Sequence, residues 1–395
     1  MVIYGRPTVQ FGTVVGRIAE KVDVVSPQDT VLICRDRVPN VDLSSFAALL
    51  ATAAVAVPVR NARMVVCESI AHLVPDDLVS VNGKSGHIRT LFRSRSSHNA
   101  LFVTESCNNN CVMCSQPPKN ESDEGSLLSI CLRILELLKT TPPPHIGITG
   151  GEPTLLGDGL LNLLNNLKVK LPSTSITVLT NARRFSDPKL CAAIAQVGHP
   201  SLRFSVPLHA DVPDIHDYVA QCRDAFYETV NGIYNMASSG MNVEIRIVLH
   251  AFSVPRLVSL AEWIWRKIPF VHQVVFVGLE NMGYVKKNFA ALSIDPVNYA
   301  GSLTAAAMHL YRRGFNVSIY NLPLCVLPPE LWGFARQSIS DHKQILLEAC
   351  GECEVAEHCP GFFLSAENRH SSGIAPIRLA AMAACRLTGG MSSHA

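Results

Sequence analysis

From about residue 100 onward, short apolar runs alternate with longer stretches of helical period, and this alternation narrows the fold more than any other feature. Strands are expected at residues 101–104, 146–149, 176–180, 202–208, 243–250 and 274–279. Helices are expected between them at 127–138, 160–167, 188–196, 225–236 and 257–267. Strands separated by helical crossovers pair in parallel, and such sheets curl. The expected fold class is therefore α/β: a partial (βα)6 TIM-like barrel over residues 98–320, followed by a helix at 297–313 and a strand at 316–320 within it. In such architectures chemistry gathers at the C-terminal ends of the strands.

The flanks read differently. Residues 1–97 are expected as a small, mostly β N-terminal domain, with strands at 13–18, 30–34 and 63–67 and a hairpin over 78–93 around Asn82-Gly83. Residues 44–54 read as a helix with Ser44 as its cap, inside an apolar stretch at 45–59 too short to span a bilayer. The polar residues 93–99 read as a linker. Residues 321–370 form a Cys-rich C-terminal extension, and 371–395, rich in Ser, Gly and Ala, are expected as a flexible tail. Residues 1–16 lack a signal-peptide pattern, so a cytoplasmic location is expected.

The formal net charge is only +2, with no long run of like charges, which argues against a nucleic-acid or membrane partner. Thirteen cysteines in a reducing compartment point to metal sites more than to disulfides. Seven of them fall into two groups, and the scattered remainder read as small buried hydrophobes.

The first group, Cys107-Asn-Asn-Asn-Cys111-Val-Met-Cys114, directly follows the first strand of the alternating region. Thiolate softness selects iron–sulfur or zinc over harder ions. Zinc would want a fourth ligand, and Asn108, Asn109, Asn110 and Ser115 are poor candidates. Three thiolates on a cubane leave one iron without a protein ligand, and an open metal position is what catalysis needs. At the end of the next strand stands Gly150-Gly151-Glu152-Pro153-Thr154. Paired glycines let a ligand approach the backbone, and Glu152 can accept from an ammonium group. The second group is Cys350-Gly-Glu-Cys353-x5-Cys359, with Cys325 upstream. Four thiolates suit a closed iron–sulfur cluster or tetrahedral zinc.

The three-cysteine loop after one strand and Gly-Gly-Glu after the next resemble the radical S-adenosylmethionine (SAM) superfamily over roughly residues 100–285. The resemblance implies a 4Fe–4S cluster on Cys107, Cys111 and Cys114, whose open iron chelates SAM. It implies that Gly150, Gly151 and Glu152 hold the methionine amine and that Met113, in a slot usually aromatic, lies near the adenine. By strand-end position Asn181, Ser205 and Arg246 are further candidate SAM contacts. The implied chemistry is reductive cleavage of SAM to a 5′-deoxyadenosyl radical that abstracts hydrogen from substrate, with an electron donor such as flavodoxin or ferredoxin. The C-terminal group is similar to the auxiliary-cluster extensions of peptide-modifying members, although Phe363 stands where those extensions carry another cysteine. One auxiliary 4Fe–4S cluster on Cys325, Cys350, Cys353 and Cys359 is expected.

Residues 108–118, 207–218, 278–284 and 332–343 resemble a narrower family, the radical SAM maturases of the His-Xaa-Ser peptide system, C-type partner. That likeness implies a ribosomally made precursor peptide as substrate and a second radical SAM protein as partner. The N-terminal domain would then read a leader peptide by adding it as a strand to a sheet edge. His209, Asp211, Glu280 and Tyr284 lie near expected strand ends and are candidate catalytic residues, each equally able to serve structurally. The alternatives are a radical SAM enzyme acting on RNA or a cofactor precursor, and a non-catalytic iron–sulfur or zinc protein.

Overall fold

The computed structural model describes residues 2–55, 61–119, 124–138, 142–338 and 343–379. Cys385, the tail from 380, residues 339–342 of the fourth resembling segment and part of the 45–59 stretch lie outside the described residues.

Seven strands build the N-terminal region: β1 (Val2–Pro7), β2 (Thr13–Ala19), β3 (Thr30–Cys34), β4 (Ala48–Thr52), β5 (Met64–Cys67), β6 (Leu78–Asn82) and β7 (His87–Phe92). They close into a barrel in the order β1-β5-β4-β3-β2-β6-β7. Closure is made by β1, whose first half pairs with β7 and whose second half pairs with β5. This removes the mode of peptide reading expected above, because strand addition needs a free edge and a closed barrel has none.

The helix expected at 44–54 is also corrected. Residues 48–52 are the strand β4, paired in parallel with β3 on one side and β5 on the other. Ala48 and Leu50 pack into one apolar cluster with Ile18, Val31 and Val79, while Leu49 and Ala51 pack into a second with Leu32 and Met64. A strand buried on both faces reads as an unbroken apolar run, which periodicity cannot tell from a buried helix. Ser44 caps nothing; its N–H donates to Asp42 Oδ1 in a turn. Residues 93–99 are a closed loop, since the Asn99 side chain accepts from Arg93 N and donates to the Arg93 and Ser96 carbonyls.

The alternating region runs β8 (Asn99–Phe102), α1 (Glu124–Leu137), β9 (His145–Thr149), α2 (Asp158–Lys170), β10 (Ser175–Leu179), α3 (Pro188–Val197), β11 (Leu202–Pro207), α4 (Pro213–Ala220), α5 (Ala225–Ser238) and β12 (Asn242–Val248). It continues with α6 (Leu257–Lys267), β13 (Gln273–Val277), α7 (Tyr284–Leu292), α8 (Pro296–Tyr311), β14 (Val317–Tyr320) and β15 (Ala335–Arg336). The sheet order is β15-β14-β13-β12-β11-β10-β9-β8, a curled half-barrel of eight strands in simple sequence order. The six expected strands all form, and β14 and the two-residue β15 extend the sheet beyond them.

By contacts the chain divides into two compact units. One comprises residues 1–104, 121–177 and 197–201, and the other 105–120, 178–196 and 202–395. In the second unit, β16 (Gln344–Ile345) and β17 (Phe362–Phe363) pair antiparallel and bracket the residues from Cys350 to Cys359. Gly361 sits at φ +62, and a Cβ there would lie 2.7 Å from the Ile345 carbonyl, so this bracket requires glycine. No helix among the described residues is long and apolar enough to cross a membrane.

Candidate functional site

The loop carrying Cys107, Cys111 and Cys114 follows β8 and belongs to the second unit. All three cysteines are half-buried, and none is in a disulfide among the described residues. Burial, and after it the neighbouring Cys114 and Cys107, push the Cys111 thiol up to about 12. Burial likewise raises Cys114. A thiol that burial and two neighbouring thiols keep from ionising makes an unfavourable anionic site until a cation occupies it.

Every part of this loop is gripped from outside. The Arg183 Nη1 donates to the Asn108 carbonyl and, at 2.7 Å, to Asn109 Oδ1. Asn181 Nδ2 donates to Asn108 Oδ1 at 2.7 Å, while Asn181 Oδ1 accepts from Arg183 N at 3.0 Å. Farther along, the N–H groups of Asn110 and Val112 donate to the Ala220 and Val219 carbonyls, which are unpaired acceptors at the end of α4. Asn288 Nδ2 donates to the Val112 carbonyl at 2.8 Å. At the far end Tyr284 N donates to the Cys114 carbonyl at 2.8 Å. Gly283 makes this possible: it sits at φ +56, and a Cβ would lie 2.3 Å from that same carbonyl.

The Asn181–Arg183 corner is itself held by α5. Glu228 Oε2 accepts from Arg183 Nε at 2.6 Å, and Thr229 Oγ1 donates to the Asn181 carbonyl at 2.9 Å. Ala182 adopts a left-handed φ of +61, and its carbonyl approaches α5 at Gly232, where a Cβ would lie 2.2 Å away. One helical face therefore supplies an acid, a hydroxyl and a gap.

Gly150, Gly151 and Glu152 follow β9 in the first unit. Gly151 N donates to the Thr104 carbonyl at 2.8 Å, and a Cβ on Gly150 would meet that carbonyl at 2.4 Å. Only glycine permits so close a backbone pairing. Glu152 is buried, and its Oε1 accepts from Thr154 N and Thr154 Oγ1, capping the turn Pro153–Leu156.

Ser205 and Arg246 meet on a third carboxylate. Glu244 Oε1 accepts from Ser205 Oγ at 2.6 Å and from Arg246 Nε at 2.7 Å. Burial works to raise the Glu244 carboxyl, but Arg246, Ser205 and Arg203 together outweigh it and hold it below its usual range. The Arg246 guanidinium lies over the Tyr320 ring, 5.6 Å from its centre. Met113 is half-buried in the cysteine loop.

The four candidate catalytic residues are placed as follows. His209 is 1% exposed and packs on His216, with ring centres 4.9 Å apart. Burial, then His216 and His250, hold it well below the usual imidazole range, so it is neutral. Asp211 is locked by Arg256 in a two-pronged pair of 2.5 and 2.6 Å. Glu280 pairs with Lys343 at 3.1 Å. Tyr284 contributes its backbone to the cysteine loop, as above. Sequence reasoning missed Arg183, Glu228 and Asn288, whose only signal is adjacency to a strand end or a place on a helix face.

In the second cysteine group, Cys325 lies in the turn Leu324–Val326 after β14. Burial, then Cys359 and Cys350, raise its thiol, and Cys359 is raised by burial and then by Cys350 and Cys353. Cys325 thus lies near Cys350 and Cys359, and Cys359 near Cys353 as well. Leu324 N donates to Cys359 Sγ and Ile377 N to Cys353 Sγ. Phe363 is buried in β17. Among the described residues no three Cys, His, Asp or Glu side chains are arranged to hold a single metal ion, so the chemistry of the donor sets is the ground for reading either group. All-thiolate sets, half-buried and approached by backbone N–H groups, fit iron–sulfur clusters.

The profile of the Radical SAM superfamily matches residues 101–264. Among curated proteins the chain is similar to the 7-carboxy-7-deazaguanine synthase of Clostridium acetobutylicum, 32% identical over 123 residues. That match covers 29% of this chain and 51% of the relative, so the chain spans about half the length of the curated protein it matches. Among solved structures it is similar to Streptococcus suis SuiB bound to the precursor peptide SuiA, with 14% identity, a TM-score of 0.44, and coverage of 56% of this chain and 48% of that one. It is also similar to a radical SAM methyltransferase from Sphaerobacter thermophilus, with 14% identity, a TM-score of 0.43, and coverage of 62% and 72%. The stretch that matches the Radical SAM superfamily, residues 101–264, contains the three-cysteine loop, the Gly-Gly-Glu turn and Glu244 with Ser205 and Arg246.

Proposed function

We propose that this chain is a radical SAM enzyme that modifies a ribosomally made peptide. The observation that carries the first part is the loop of Cys107, Cys111 and Cys114, three soft donors and no fourth, inside the stretch that matches the Radical SAM superfamily. These cysteines would hold a 4Fe–4S cluster with one iron left for the amino and carboxylate groups of SAM. When bound, that pair supplies one-electron cleavage of SAM and a carbon radical able to take hydrogen from substrate.

The chain's part is to hold and to shield. The thiols must lose protons when iron binds, and the loop must not collapse while they do. Arg183, Asn181, the end of α4 and Tyr284 hold the loop at five residues, four of them through the backbone. Because the Asn181 amide is spent on Asn108 of the loop and on Arg183 N, Asn181 is better assigned to holding the loop than to SAM. Arg246 commits only its Nε to Glu244, which leaves its two Nη groups for a ligand. Cys325, Cys350, Cys353 and Cys359 would hold a second cluster.

Peptide modification rests on the likeness of residues 108–118, 207–218 and 278–284 to His-Xaa-Ser maturases. The fold supports it in one respect: residues 278–284 meet residues 108–118 through Gly283 and Tyr284 on Cys114, and the segment 207–218 runs into the end of α4, where the Val219 and Ala220 carbonyls accept from Val112 and Asn110. A precursor peptide, a second radical SAM protein and an external one-electron donor are the partners this reading requires. A second reading is favoured by the match to the deazaguanine synthase: a small heterocyclic substrate.

The test is anaerobic reconstitution followed by SAM and a reductant. Release of 5′-deoxyadenosine by the wild type, lost in Cys111→Ala, is expected. Its absence from protein loaded with iron and sulfide sinks the radical reading and returns a non-catalytic metal protein. A mass change on a co-expressed precursor peptide, against one on a purified heterocycle, separates the two substrate readings.

A further inference from the structure

A cavity of about 450 Å³ opens on the C-terminal side of β12, β13 and β14, entirely within the second unit. Its volume is in the range of small-molecule sites. The strand ends contribute Leu249, Leu279 and Leu322, α7 contributes Phe289, and the extension covers it with Phe362 and Phe363. The strip joining β13 to α7 links this cavity to the cysteine loop: Gly278, Leu279 and Asn281 line the cavity, while Gly283 and Tyr284 rest on Cys114. On its other side the lining residue Pro323 stands two residues before Cys325.

Most polar groups in the lining are already satisfied. Asp295 accepts from Ser371 Oγ, Ser372 and Val297 N. The Asn321 amide exchanges two bonds with Ser338. Two groups are not. Tyr299 is only 3% exposed and lines the cavity, and its hydroxyl has no protein hydrogen-bond partner among the described residues. Burial, then the Asp295 carboxylate, push this phenol up, so it remains a donor. At the rim Arg369 is exposed, stacked over Phe289 at 4.9 Å, and its guanidinium is free to meet a carbonyl. The Tyr299 hydroxyl is not sealed from water in the open cavity, so the cost of an unpaired donor falls on a ligand that covers it without offering an acceptor.

We propose that this cavity is the recognition pocket for one side chain of the peptide substrate, an apolar side chain ending in a hydrogen-bond acceptor for Tyr299. The pocket rests on the peptide reading for the kind of molecule, and on the cavity itself for the chemistry. An apolar body fills the Leu and Phe lining, its tip accepts from the Tyr299 hydroxyl, and a backbone carbonyl beside it accepts from Arg369.

The test uses the full-length chain and two probes of equal shape, N-acetyl-tyrosinamide and N-acetyl-phenylalaninamide, titrated by saturation-transfer NMR. The tyrosine amide is expected to bind about tenfold more tightly, the cost of leaving a buried donor unpaired. Tyr299→Phe should bring the two probes to within about twofold. Ala366→Trp, or Val326→Trp if that variant fails to fold, should fill the cavity and weaken both probes at least about tenfold. Equal binding of the two amides, discrimination that survives Tyr299→Phe, or binding that survives a folded filling variant overturns the proposal. Tighter binding of a 7-deazaguanine, a flat heterocycle, at this cavity also overturns it. Release of 5′-deoxyadenosine by the wild type is read separately. If it is absent while the amides still discriminate, the radical reading fails and the pocket stands. If it is present while they do not, the pocket alone fails.

Discussion

Replacing Arg183 by Ala removes a side chain that is 11% exposed and bridges α5 to the cysteine loop. Three bonds go: to the Asn108 carbonyl, to Asn109 Oδ1 and to Glu228. The Glu228 bond is the least valuable, because that carboxylate is 42% exposed and water replaces the cation, so about 0–1 kcal/mol is lost there. The two loop bonds have a charged donor, and such bonds are worth about 1.5–3 kcal/mol each before relaxation. Asn109 is 7% exposed, so its acceptor is left without water and the relaxation is small. A loss of about 3–4 kcal/mol in the order of the loop follows. If iron retention depends on that order, the variant should surrender its iron to a chelator about a hundredfold more readily, the upper end for residues that support metal ligands. Arg183→Lys keeps the charge but not the fork and should fall between. Glu228→Gln should change iron retention by less than about fivefold. The measurements are iron content after chelator challenge and the melting of the apo and loaded forms. Retention by Arg183→Ala within about twofold of wild type, with an unchanged apo melting curve, refutes the claim that this corner holds the loop.

The remaining predictions are shorter. Gly283→Ala forces a Cβ into the Cys114 carbonyl at a left-handed φ and should cost about 2–3 kcal/mol, with iron lost from the loop before the chain unfolds; iron assays along a melting series check it. Cys359→Ser should lower iron from about eight to about four per chain, leaving SAM-dependent spectral changes in place. Leu50→Ala, at a position with no exposure, should cost about 2–5 kcal/mol by chemical denaturation, whereas a helix at 44–54 with one solvated face would have tolerated a change there. His216 and His250 are both lowered to about 4, chiefly by burial, so the folded form keeps them neutral where the unfolded chain protonates. Their contribution is fully present above about pH 6.5 and is lost as pH falls from there toward about 4, up to roughly 3 kcal/mol each. Apoprotein melting should therefore drop between pH 7.5 and 5, with a shallower drop in His250→Asn; equal slopes would count against the linkage.

The order of strands was legible because the period of hydrophobicity changes sharply near residue 100, and all six expected strands form within a few residues of their expected ends. The helix at 44–54 was not legible correctly. Ala48 to Thr52 have no polar face in the sequence, and only the neighbours β3 and β5 show that both sides of a strand are buried there. Barrel closure was likewise invisible, since it depends on β1 splitting its pairing between β5 and β7, a fact of register and not of composition.

The site divides in the same way. Cysteine spacing, glycine pairs and donor softness are local properties, so the sequence alone determined that two thiolate groups follow strand ends and what chemistry they favour. Which residues hold those groups is a matter of three-dimensional neighbours. Arg183 is more than seventy positions from Asn108 along the chain, and Asn288 is still farther from Val112. The same holds for Tyr299, an unremarkable helical tyrosine until the fold buries it beside a cavity without an acceptor. Ligand identity is written in short spacings because coordination is short-ranged. Support and substrate recognition are decided by packing, where residues with no pattern in common are brought to one place.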